Sequence, residues 1–241
     1  MNTVTAGSLG TVCMVGSFDT ITGKFKAVKD TTIGTVTRKS LLQICKLDKP
    51  EDLTQEAIAQ YLPQLKAKVT PKVKQNINAL YNQLLCISEM PSGCQLFRVS
   101  SNLLPMFDHG LFNAIYDQEL LTLVDALLKR CKRVIDKFNI RVCTHPDQFN
   151  VVNSDTLKTR TQTFRSLYMH KYFMERLTVA EHTSINIHLN GKLDHIPEFD
   201  NGQHLDLIPW LSFENEDKTG SVFVADTSNT LTVCEKYRVK M

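Results

Sequence analysis

Surplus charge of either sign is nearly absent from this chain: 28 Lys and Arg stand against 25 Asp and Glu, a net of +3. Net charge therefore does not announce a nucleic-acid partner, although a local basic patch remains open. No Cys-x-x-Cys pair occurs among the seven cysteines. An odd, scattered set fits free thiols in a reducing compartment better than a disulfide framework. Long apolar runs are also missing. The N-terminal run, Leu9 to Val15, is too short for a membrane span or a signal core of the usual build. No internal repeat, low-complexity segment or linker between two domains is evident. The expectation is one soluble intracellular domain with no signal peptide or transmembrane segment, and 241 residues can bury a sizeable core.

What is present is an alternation of short apolar runs and helical patterns. Leu9 to Val15 reads as a first buried strand, and residues 17–50 as a long irregular excursion of the kind that carries function. A weak helix is expected from Leu53 to Leu62, and a clearer one opening at Thr70-Pro71, with Thr as N-cap and Pro at the first position. Gln95 to Ser101 is the second strand. Leu120, Val124, Leu127, Cys131, Val134 and Phe138 recur at helical spacing, with Lys129, Arg130, Lys132, Arg133 and Lys137 on a solvated outer face. Ile140 to Cys143 is the third strand, followed by a helix over residues 155–180. Ser184 to Leu189 and Leu207 to Phe213 are the fourth and fifth strands, then a helix from Ser221 to Tyr237. Arg238 to Met241 is placed to begin a sixth. Strands separated by helices predict an α/β fold with a parallel sheet, of which about five strands can be traced.

Four strand ends, or the loops just beyond them, carry His109, His145, His188 and Glu214. In a parallel barrel that edge faces the active site. Imidazole and carboxylate groups are ligands for zinc, manganese or iron-type ions. His170 lies mid-helix, and His182, His195 and His204 follow no strand. The stretch from Cys143 to Ser154 also has a bland reading, as a polar loop joining strand to helix.

Several strings fall in order: Arg98-Val99-Ser100-Ser101-Asn102-Leu103-Leu104-Pro105, His109, His145-Pro146-Asp147-Gln148-Phe149, His188-Leu189-Asn190-Gly191-Lys192 and Phe213-Glu214-Asn215-Glu216-Asp217. Together they resemble the UV damage endonuclease family over most of the chain. The resemblance implies a metal-dependent TIM-type (β/α) barrel, here incomplete at about five strands, often with manganese (zinc or magnesium being alternatives), that nicks DNA 5′ to ultraviolet photoproducts. It implies His109, His145, His188 and Glu214 as metal ligands and catalytic residues. Gln148 and Phe149 match the pair that probes the lesion, with Arg98 and Asn102 among the DNA-binding positions. Thr11 and Phe149 stand where the family usually has Tyr, and the segment from His188 to Glu214 is short. The family's later Asp, His and Glu ligands have no counterpart here, so the resemblance is to a C-terminally truncated member. The expected partners are damaged double-stranded DNA and a separately encoded C-terminal fragment. Two other readings stay open: an inactive remnant that binds DNA or a partner, and a hydrolase or isomerase on a related metal barrel.

Overall fold

The computed structural model describes residues 10–91, 93–214 and 227–240. In chain order the elements are β1 (Gly10–Val12), β2 (Gly16–Asp19), β3 (Lys24–Ala27), α1 (Arg38–Ile44), α2 (Gln55–Ser88) and β4 (Leu96–Val99). Then follow α3 (Gln118–Phe138), β5 (Arg141–Thr144), α4 (Leu157–Leu177), β6 (Ile185–His188), α5 (Pro197–Asp200), β7 (Leu211–Glu214) and α6 (Thr227–Tyr237). Five strands form one sheet in the order β1-β4-β5-β6-β7, open among the described residues. The pairs β1–β4, β5–β6 and β6–β7 are parallel. Beyond β7, Lys240 forms a single parallel bridge with Ser212, and its carbonyl accepts the Phe213 N–H at 2.8 Å. Among the described residues no helix is long and apolar enough to cross a membrane.

Two compact units divide the chain, one within Met1–Val142 plus Arg176–Thr178, the other within Cys143–Glu175 plus Val179–Met241. The first is built on α2 packed against α3. Ile77, Leu80 and Leu84 of α2 and Val124, Leu128 and Cys131 of α3 are fully buried. Burial pushes the Cys131 thiol up to about 12, so this cysteine is an inert packing group. α3 starts at Asp117, whose carboxylate accepts the Leu120 N–H, and ends at Asn139 in the left-handed region. In the second unit the strands alternate strictly. Ile185 and Ile187 of β6, and Leu211 and Phe213 of β7, are buried, while the residues between them lie on the opposite face.

The structure corrects the expected helix start at Thr70-Pro71. α2 runs unbroken from its Thr54 cap to Ser88, with Pro63 and Pro71 inside it. Each proline removes one ladder hydrogen bond and costs about 3 kcal/mol. Against that stands a continuous row, Leu65, Val69, Val73, Ile77, Leu80, Leu84 and Ile87, each at most 1% exposed. At about 1.5–3 kcal/mol per buried side chain the row outweighs both prolines.

Residues 17–50 are not irregular throughout, because β2 and β3 pair as an antiparallel hairpin and α1 follows. The first strand is shorter than expected, with Val12 and Met14 about half exposed and Cys13 at φ 57°. Residues 207–210, expected as the start of a strand, belong instead to a 3-10 turn, Leu205–Trp210, that leads into β7. In α3, Leu128 and Ile135 take the buried places expected for Leu127 and Phe138. Asn215-Glu216-Asp217 and the expected first turn of the last helix, residues 221–226, lie outside the described residues.

Candidate metal centre

β6 and β7 pair in a register that sets Asn186 beside Ser212 and His188 beside Glu214. A two-residue period therefore brings an imidazole and a carboxylate out side by side at the C-terminal ends of neighbouring strands. His145 follows directly on β5. One ligand atom from each of His145, His188 and Glu214 lies within 4.8 Å of the others. The His145 Nε2 is 3.3 Å from Glu214 Oε2, and His188 Nδ1 is 3.6 Å from the same oxygen. The two rings sit 4.5 Å apart, tilted by 60°.

The tautomer of His145 follows from its other nitrogen. Nδ1 is 2.5 Å from the Pro146 carbonyl, which can only accept, so Nδ1 carries the proton. In the neutral ring Nε2 then directs a lone pair at a carboxylate. Two acceptors face each other, and a cation between them, a proton or a metal ion, reconciles the pair. A carbonyl fixing the far nitrogen is also the usual outer partner of a metal-ligating histidine. Two imidazoles and a carboxylate suit zinc and manganese-type ions.

The loops that hold this centre are latched to one another. Asn153, fully buried, accepts the Gly191 N–H at 2.9 Å through Oδ1 and donates through Nδ2 to the Leu193 carbonyl at 2.7 Å. A Cβ on Gly191 would lie 2.3 Å from the Asn153 carbonyl oxygen, so only glycine permits the approach. Lys192 and Asp155 add an ion pair at 2.9 Å. The segment after β5 is thereby tied to the segment after β6.

Gln148 and Phe149 occupy a tight turn in which both the backbone N–H and the side-chain amide of Asn150 donate to the Asp147 carbonyl at 2.9 Å. Phe149 is 79% exposed there. The other expected residues belong to the first unit. Arg98 is half-buried on β4, and Asn102 is exposed on a 3-10 turn whose carbonyl accepts from Asn76 at 2.9 Å. His109 Nδ1 accepts the N–H groups of Leu111 and Phe112, each at 3.2 Å. In the neutral ring its proton is therefore on Nε2. The structure gathers His145, His188 and Glu214 into one centre within the second unit.

His170 was not expected to matter, because it sits mid-helix. Its ring is fully buried on α4, with Nδ1 2.8 Å from the Thr144 hydroxyl, so it supports the residue that precedes His145. Burial, and secondarily the charge of His145, push its pKa down to about 3. The unfolded chain takes up a proton near 6.5 and the native one only near 3, so stability falls as pH drops through that window. About 2 kcal/mol should be lost between pH 7 and pH 5 on this account. Urea denaturation at the two pH values checks it, and His170→Gln should flatten the difference.

Parallel strands alternating with helices, with two histidines and a glutamate meeting at their C-terminal ends, define the fold class as α/β and TIM-barrel-like, its sheet open among the described residues. Within it, the model of the UV-endonuclease UvdE family matches residues 8–241, and the chain belongs to that family. Curated relatives include UV DNA damage endonucleases of Bacillus mycoides (strain KBAB4), 28% identical, and Bacillus cereus (strain ATCC 10987 / NRS 248), 26% identical, each over 153 residues. Those alignments cover 60% of this chain and 45% of each relative, so the match spans less than half the length of either. The crystal structure of SacUVDE shares the fold, with a TM-score of 0.57 at 19% identity over 96% of this chain and 66% of that one.

Proposed function

We propose that the protein is a DNA repair endonuclease that nicks 5′ to ultraviolet photoproducts by metal-dependent phosphodiester hydrolysis. The observation that carries this reading is the convergence of His145, His188 and Glu214 at neighbouring strand ends, in a member of this family. His145, His188 and Glu214 would hold the ion, with manganese as the first choice and zinc or magnesium as alternatives. A divalent ion supplies Lewis acidity that favours in-line displacement at phosphorus. The Pro146 carbonyl keeps the Nδ1 proton in place, which preserves Nε2 as a donor atom. Glu214 is shared between both rings and fixes their spacing. His109 is proposed as a further ligand on the strength of the resemblance.

Gln148 and Phe149 are proposed to meet the lesion. An aromatic on a turn closed by Asn150 and already in solvent can fill the gap left by extruded bases. Arg98 and Asn102 are proposed to contact the DNA backbone. The test is nicking of irradiated and unirradiated supercoiled plasmid with manganese, followed by mapping of the break on a duplex with one defined photoproduct. Breaks confined to damaged DNA, 5′ to the lesion, are expected. Equal relaxation of both plasmids would refute the reading. Selective binding without any break would leave a DNA-binding protein in place of an endonuclease.

A further inference from the structure

The hairpin of β2 and β3 is exposed along its length. Of its described side chains only Ala27 and, at 45% exposed, Phe25 are partly covered. Two strands alone are marginal in water, yet this ribbon is anchored firmly at its base. The Val28 N–H donates to the Val15 carbonyl at 2.9 Å. The buried amide of Gln83 on α2 donates to the carbonyls of Cys13 at 2.9 Å and Thr31 at 2.7 Å, gripping the segments that enter and leave the ribbon. Asn82 adds a bond to the Asp30 carbonyl at 3.0 Å.

The tip is equally well made. The Asp19 carboxylate accepts the N–H groups of Ile21 at 2.9 Å and Thr22 at 3.0 Å, and the Asp19 carbonyl accepts that of Gly23 at 2.9 Å. Gly23 supplies the positive φ, +67°, that closes the turn. At its apex Ile21 is 94% exposed between Thr20 and Thr22. Lys24 and Lys26 share one face of the return strand and Lys29 follows, all in solvent. Lysines on a strand edge also discourage pairing with another sheet. That role accounts for the lysines but not for an isoleucine set in water at the apex of a hydrogen-bonded turn.

We infer that this ribbon is a DNA-binding arm, with Lys24, Lys26 and Lys29 on backbone phosphates and Ile21 as an apolar wedge entering the minor groove between base steps. The inference rests on the DNA reading above and deepens it. A single aliphatic wedge flanked by cations is the pattern of side chains that unstack and kink a duplex. Phe25 and Val28, the ribbon's other exposed apolar side chains, are only 45% and 42% exposed, so among its described residues Ile21 alone stands almost wholly in water, less than the broad apolar patch that a protein partner calls for.

The test uses the full chain and a labelled duplex carrying 2-aminopurine beside a photoproduct, titrated at several salt concentrations. Replacing Lys24 and Lys26 together by Gln should reduce the slope of log affinity against log salt by about 1.8, roughly 0.9 per phosphate contact. Ile21→Ala should weaken binding about 10- to 100-fold, the range for one buried aliphatic group, and diminish the 2-aminopurine signal. All three positions are exposed, so the fold is spared. Unchanged slope, affinity and fluorescence, in variants that still prefer irradiated duplex, would overturn the arm and leave the endonuclease reading standing. Failure of the unaltered chain to bind either duplex would overturn both.

Discussion

Replacing His145 by alanine is expected to weaken divalent-ion binding by more than 100-fold and to abolish nicking. The variant removes one of three donors and leaves Glu214 Oε2 facing His188 alone. Losing an outer partner of a metal ligand costs about 10- to 100-fold, and loss of the ligand itself must exceed that. Isothermal titration with manganese, alongside circular dichroism to show that the fold is intact, measures the effect. Glu214→Gln should behave alike, because the amide keeps the shape but loses the charge shared by both rings. Undiminished manganese affinity in either variant would take the ion away from this centre.

Phe149→Ala is expected to reduce the preference for damaged over intact duplex by about 1–3 kcal/mol, the range for one base-stacking aromatic. Phe149 has little to lose in the folded chain, since it is 79% exposed, so the change should not affect stability. Phe149→Tyr keeps the ring and should keep the preference. Competition binding with irradiated and intact oligonucleotides gives the ratio directly. The same ratio in the alanine variant as in the parent chain would remove this ring from the lesion.

The cluster of His145, His188 and Glu214 was legible in the sequence because each stands at the end of a short stretch with apolar residues at every second position, which reads as a strand between helices. His188 and Glu214 then follow from the two-residue period alone. What could not be read was anything set by partners distant in the chain. Pro71 looked like a helix start because local rules favour it there, and only the buried row from Leu65 to Ile87 shows why the helix continues. The hairpin was hidden for a similar reason. Its strands are four residues each, Gly-Ser-Phe-Asp and Lys-Phe-Lys-Ala, and depend on Gln83 some fifty residues away to hold their base. His170 looked idle mid-helix, and its link to Thr144 appears only when α4 packs against β5.

The latch between Asn153 and Gly191 bears on how the centre comes apart. Its bonds join the segment after His145 to the segment after His188, and both run through a single side chain. The two loops are therefore one cooperative opening unit rather than two that fray separately. A substitution at Gly191 would disturb both histidines at once, and its effect would not add to that of a change at Asn153. Neither loop can drift in sequence alone: the identity of residue 191 is held by a residue 38 positions earlier in the chain.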